Sequence, residues 1–269
     1  MTNAWNRFER YVAIGDSSTE GLDDPNGRGG YTGWADRLAS HIAHAQGTLQ
    51  YANLAVRGRR TREVLGEQLH VAVAMKPSVA TVFSGTNDVV SRRFDLRTLS
   101  ADIEEMQGAL VSAGATVLTI TLPDLTPVMP MARWLAPRVR ALNEAVRAAA
   151  ARTGAIVVDL AAHPVASDPR LWSDDRLHAN AVGHARIAHA LAHALGVPGA
   201  DESWKLPLPP QPLRASAQRV ADEWRWVRRF LAPWLWRHAR GISSGDALTA
   251  KRPVLEEIAR MDFDTRMQS

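Results

Sequence analysis

The sequence predicts an α/β protein whose parallel sheet is covered by helices on both faces. Three observations lead there. Short β-branched runs alternate with longer Ala-, Arg- and Leu-rich stretches along the first 200 of the 269 residues. Those short runs do not alternate between apolar and polar residues, which is the pattern of strands buried on both faces. Several of the longer stretches stop at a glycine (Gly114, Gly154, Gly196), the residue that most easily takes the left-handed backbone after a helix.

The elements follow in order. A strand is expected at residues 11–14, where Tyr-Val-Ala-Ile precedes Gly15, and a helix at 33–45. Residues 50–54 read as the second strand and 61–75 as the next helix. Strand 79–83 leads to helix 99–113, strand 116–121 to helix 131–153, and strand 156–160 to the last helix, 181–195. Ligands of such sheets lie beyond the carboxyl ends of the strands, so the residues just after each strand are the ones to inspect.

Composition narrows the class further. With 46% hydrophobic and 22% charged residues the chain is neither disordered nor fibrous. The absence of cysteine excludes a disulfide scaffold, a thiolate metal site and a cysteine nucleophile. A net charge of +4 spread along the chain is a poor argument for nucleic-acid binding. Residues 1–9 lack the basic and apolar regions of a secretory signal, and no window approaches a membrane span. A soluble, cytoplasmic protein is the expectation.

Four segments just after strands carry reactive groups. They are Gly15-Asp16-Ser17-Ser18 after the first, Asn53 to Gly58 after the second, Gly85-Thr86-Asn87-Asp88 after the third, and Asp174-Asp175-Arg176-Leu177-His178 after the fifth. Together they form a kit for acyl transfer. A serine at a strand-to-helix turn sits where backbone N–H groups stabilise negative charge. A histidine can take its proton, with a carboxylate holding the imidazole tautomer. A glycine N–H and an asparagine amide can join the serine N–H around an oxyanion, each donor lowering the barrier by roughly 3 kcal/mol. Singly, each piece also reads as a helix cap, a turn or a surface residue; their joint occurrence, in order, favours catalysis.

The four blocks resemble the SGNH hydrolase (GDSL-type lipase/esterase) superfamily over about residues 10–195. The resemblance implies a flavodoxin-like three-layer α/β/α sandwich with a five-stranded parallel sheet. It implies Ser17 as nucleophile, His178 as general base and then acid, and Asp175 as its orienter, with the neighbouring Asp174 the competing choice. The oxyanion hole it implies is the Ser17 and Gly58 N–H groups and the Asn87 amide. Neither a metal nor an organic cofactor is implied. The chain departs from the family pattern at Ser18, where leucine is usual, and at Ala179, where proline is common.

A small-molecule ester, first of all a short-chain acyl ester such as an acetyl ester, is therefore the expected substrate. Lysophospholipid or thioester cleavage, and a non-catalytic flavodoxin-like binding protein, are the alternatives. Arg57, Arg59 and Arg60 beside Gly58 read as solvated residues, and the loop 22–30 as a border of the acyl pocket. Composition changes near residue 200: residues 1–200 hold 20 basic and 19 acidic side chains, the remainder 12 and 9. Residues 201–269 are read as a Pro-rich linker followed by an Arg/Trp-rich helical C-terminal extension. Leu213, Ala217, Val220, Trp224, Val227, Leu231 and Trp234 fall on one helical face. That face is expected to dock on the α/β domain, with a membrane surface, a lid or a dimer contact less favoured.

Overall fold

The computed structural model describes residues 5–210, 223–233, 245 and 248–259. Six strands form one sheet: β1 (Arg10–Gly15), β2 (Thr48–Asn53), β3 (Val79–Phe83), β4 (Thr116–Ile120), β5 (Ile156–Val158) and β6 (Arg252–Ala259). Their spatial order is β5-β4-β3-β1-β2-β6, with β1 to β5 parallel. Helices α1 (Ser17–Glu20), α2 (Gly33–Gln46), α3 (61–74), α4 (Thr86–Val90), α5 (Leu96–Ser112), α6 (Ala136–Thr153) and α7 (Ala181–Ala194) complete the three layers.

Residues of β1 show why its run is apolar throughout. Tyr11 and Ala13 pack with Trp34, Leu38 and Ile42 of α2 and with Leu191 of α7. Val12 and Ile14 face the other way, onto Val64 and Leu69 of α3 and Met106 and Leu110 of α5. Each such aliphatic side chain contributes about 1.5–3 kcal/mol when fully buried.

Two expectations are corrected. The sheet has six strands, not five, and part of the C-terminal extension is a strand instead of a helix: β6 lies antiparallel to β2. Its sequence, Arg-Pro-Val-Leu-Glu-Glu-Ile-Ala, lacks the apolar run of a central strand. An edge strand bonds on one side only, so it tolerates both the charges and Pro253. The proline falls where the register shifts between Tyr51 and Asn53. The expected helix 131–153 is also broken, because Pro137 sits in the first turn of α6 and a separate 3-10 turn covers Pro130–Trp134.

The extension is tied to the domain at several points. Lys251 Nζ lies 3.0 Å from Asp36 Oδ1 and donates to the Thr32 carbonyl at 2.8 Å, and the Tyr51 hydroxyl donates to the same carboxylate at 2.9 Å. Burial pushes the Lys251 ammonium below its usual range, and Asp36 opposes that shift. Trp204, in the turn Glu202–Lys205, is buried. Residues 223–233 are helical. Their orientation corrects the predicted face: Trp224 is 72% exposed, whereas Trp226 is only 7% exposed. Leu213, Ala217, Val220 and Trp234 of that predicted face lie outside the described residues. No described helix is long and apolar enough to cross a membrane.

The chain reverses its direction of strand addition between β1 and β3. The crevice at their carboxyl ends is the topological switch point of the sheet.

Candidate active site

Ser17 is the first residue of α1, directly after β1, with Asp16 as the helix cap. The turn is made tight from below. Gly15 lies so close to the Phe83 carbonyl and the Thr19 side chain that a β-carbon there would collide with both. Gln68 holds it from the side, its amide exchanging 2.9 Å hydrogen bonds with the Gly15 N–H and carbonyl. Gln68 reaches Gly15 from a π-turn, Leu65–Leu69, inside α3. Asn53, at the end of β2, donates to the Thr19 carbonyl at 2.9 Å and so joins the second block to the turn that carries Ser17.

The loop carrying Asp175 and His178 approaches from the other end of the chain. Trp172 and Ala179 form a β-bridge, and the Ser173 N–H donates to the His178 carbonyl at 2.9 Å, closing a turn that carries both groups. His178 Nε2 lies 2.7 Å from Ser17 Oγ, and its Nδ1 lies 2.6 Å from Asp175 Oδ2. Asp175 Oδ1 accepts from the N–H groups of Leu177 (2.8 Å) and His178 (3.0 Å). Asp174 points into solvent, so the structure brings Asp175, and not its neighbour, to the imidazole. Burial disfavours both charged forms, but the contact between them outweighs it. It holds the Asp175 carboxyl well below its ordinary range and raises His178 above 6.5.

Asp23 and Ser173 extend this chain, and sequence reading missed both. Ser173 Oγ is 2.6 Å from Asp23 Oδ2 and 2.6 Å from Asp175 Oδ1. A hydroxyl has one proton and can donate to only one of them at a time. Burial and the charge on Asp175 push the Asp23 carboxyl up from its ordinary range. The loop 22–30 therefore borders the acid–base side; neither described cavity is lined by it, contrary to the expectation. Asp23, Asp175 and His178 also place ligand-type atoms within 4.8 Å of one another. A cation there would have to displace the proton linking His178 and Asp175.

Gly58 stands on the loop after β2, and Asn87 in the first turn of α4, which follows β3. Gly58 has φ +78° in the turn before α3. Asn87 Nδ2 donates to the Arg59 carbonyl at 2.9 Å and makes a longer 3.4 Å contact to Asp16 Oδ2. Burial pushes the Asp16 carboxyl up to about 7. Two of the neighbouring arginines are paired instead of solvated: Arg57 binds Glu20 and Arg59 lies 2.9 Å from Glu67.

Two cavities meet at Thr86, Leu122 and Leu177. The smaller, about 60 Å³, is lined by Ser17 and His178 together with Ile120, Leu160, Leu171 and Trp204. The larger, about 410 Å³, runs past Val89, Leu125, Met129 and Leu135 and touches neither Ser17 nor His178.

Residues 13–186 match the model of the GDSL-like lipase/acylhydrolase family. A GDSL lipase of Mycobacterium tuberculosis is 29% identical over 194 residues, which is 69% of this chain and 81% of that protein. Among solved structures, a lipase/acylhydrolase from Enterococcus faecalis superposes with a TM-score of 0.58 at 21% identity, over 72% of this chain and all of that one. An acetyl xylan esterase from Geobacillus stearothermophilus gives 0.56 at 18% identity, over 76% and 97%. These two likenesses concern the fold; the family match spans most of the chain. The protein belongs to the GDSL-like lipase/acylhydrolase family and is a carboxylic ester hydrolase.

Proposed function

We propose that Ser17 takes the acyl group of a short-chain ester, such as an acetyl ester of a bulky alcohol, and passes it to water. One observation carries this reading: the unbroken hydrogen-bond chain Asp175–His178–Ser17, which ends on a hydroxyl at a helix N-terminus. His178 Nε2 removes the Ser17 proton as the oxygen attacks the ester carbonyl, and the positive charge that forms is held by Asp175. His178 then gives the proton to the leaving alcohol. Water repeats the sequence on the acyl-enzyme, with His178 again as the base. The oxyanion is received by the Ser17 and Gly58 N–H groups and by Asn87, which exchanges its long contact with Asp16 for the substrate oxygen.

The cavities support the substrate class. The space of about 60 Å³ beside Ser17 is less than half the roughly 150 Å³ apolar cavity that holds benzene, and so suits two to four carbons. The larger trough leaves room for a bulky alcohol. Hydrolysis of a p-nitrophenyl ester series by wild type, Ser17→Ala and His178→Ala tests both points. Each variant is expected to lose at least about a thousandfold in kcat, with acetate to butyrate the preferred wild-type substrates. Equal rates in the three proteins would overturn the assignment; a preference for long chains or lysophospholipids would move the acyl group into the larger trough.

A further inference from the structure

The C-terminal extension lies beyond the matched residues 13–186, yet it touches both loops that surround Ser17. The closer contact is with the acid–base loop. The Trp226 indole N–H donates to the Asp175 carbonyl at 3.1 Å. The Arg176 guanidinium stacks over the same indole, 4.7 Å from the ring centroid, and its Nη1 lies 2.8 Å from Glu223 Oε2. On the opposite wall Gly245 is buried against the backbone of Arg57, the residue before Gly58; a β-carbon at Gly245 would collide with the Arg57 carbonyl.

These contacts fall where the loop needs support. Arg176, between the acid and the base, has φ +63°, a left-handed conformation that its β-carbon disfavours. Such a residue persists when its surroundings over-determine it. Here both its preceding carbonyl and its own side chain are held by one helix. The Asp175 peptide is fixed from outside by Trp226 and its carboxylate from inside by Leu177 and His178. The indole is itself buried in this contact, Trp226 being only 7% exposed.

We propose that the extension is a clamp on the acid–base loop, with Trp226 a positioning residue that acts through the Asp175 carbonyl and the Arg176 side chain to hold His178 on Ser17. The proposal rests on the reading of Ser17, Asp175 and His178 as the catalytic chain. Its test is run so that the two can fail separately. In the full-length protein, wild type, Trp226→Phe, Trp226→Ala and Ser17→Ala are compared by p-nitrophenyl acetate kinetics and by NMR titration of the His178 Cε1–H. The exposed Trp224→Ala serves as the control on the same helix.

Trp226→Ala is expected to lower kcat about ten- to a hundredfold with KM within about twofold, the signature of a displaced base. The His178 midpoint should fall by about half a unit or more as its contact with Asp175 loosens. Trp226→Phe keeps a ring beneath Arg176 but loses the N–H, and should lie between. A reduced fraction of folded protein would scale the rate without moving the His178 midpoint. Wild-type kcat and midpoint in both Trp226 variants would overturn the clamp, whereas a fully active Ser17→Ala would overturn the catalytic reading and leave the titration to decide the clamp.

Discussion

Replacing Asp175 with asparagine should cost far more than the loss of one charge. Three donors, the N–H groups of Leu177 and His178 and the Ser173 hydroxyl, converge on Oδ1. Asparagine must therefore keep its oxygen at that position and turn its NH2 toward His178 Nδ1, now 2.6 Å from a carboxylate oxygen. Facing a donor, Nδ1 becomes an acceptor, and the imidazole proton moves to Nε2. That nitrogen then points a hydrogen at Ser17 Oγ and cannot remove its proton. The reversed tautomer is worth about ten-thousandfold in kcat in serine hydrolases with this arrangement, or about 5 kcal/mol of barrier.

A second signature separates this mechanism from unfolding. In the wild type the Asp175 contact outweighs burial and raises the His178 pKa from its ordinary value, so the acid limb of kcat/KM is expected above that of a free imidazole. Without the Asp175 charge, burial is less opposed and disfavours the imidazolium, so the limb moves to lower pH; Asp23 and Asp16 still oppose that movement. The assay is initial-rate hydrolysis of p-nitrophenyl acetate from pH 5 to 9, with circular dichroism to show a native fold. A folded Asp175→Asn within tenfold of wild type, or with its acid limb unmoved, would refute the argument.

Two other substitutions probe the surroundings of the site. Trp204 forms part of the lining of the 60 Å³ cavity, and Trp204→Ala should shift the preferred ester to longer chains. Each newly seated methylene contributes about 0.8 kcal/mol, about fourfold in kcat/KM; an unchanged chain-length profile would show that acyl groups bind elsewhere. His184 is fully buried, with Nδ1 accepting from the Trp34 N–H at 3.1 Å and Nε2 donating to the Leu22 carbonyl at 2.9 Å. Burial pushes its pKa down to about 4, so the stabilisation it gives is complete above pH 6.5 and is lost as the pH falls through 4. The amount is about 3 kcal/mol, and urea unfolding at pH 7 and pH 4 should show a smaller difference in His184→Gln than in wild type. The same difference in both proteins would contradict it.

The five parallel strands were legible because their runs are short, rich in β-branched and apolar residues and non-alternating, and a run that short between turn residues is too brief to build a helix. The catalytic candidates were legible for a related reason. Chemistry at the switch point requires particular residue types soon after β1, β2 and β3 and in the loop before α7, so position and type reinforce one another. Asp23 was not legible in this way. Its role depends on the Ser173 hydroxyl, shared with Asp175 and 150 positions further along the chain, and the segment Leu22-Asp23-Asp24-Pro25 offers only the polarity of any loop. Gln68 was hidden similarly, because a helical reading of residues 61–75 contains no signal for the π-turn that aims it at Gly15.

The extension failed for a different physical reason. Helical periodicity put Trp224, Val227 and Leu231 on the buried face, on the premise that apolar residues choose the side a helix presents to the domain. At residues 223–233 the site of docking is a charged, hydrogen-bonding loop instead of an apolar surface. The residue it selects is the tryptophan that can offer an N–H to a carbonyl and a ring face to a guanidinium, which is Trp226. Glu223, three positions earlier, completes the match by pairing with the same arginine. Spacing rules count apolar side chains and are blind to such a surface, whereas a search for tryptophan and glutamate three apart opposite an arginine would find it. The lone apolar stripe thus misdirected the face, and the polar partners of one catalytic loop decided it.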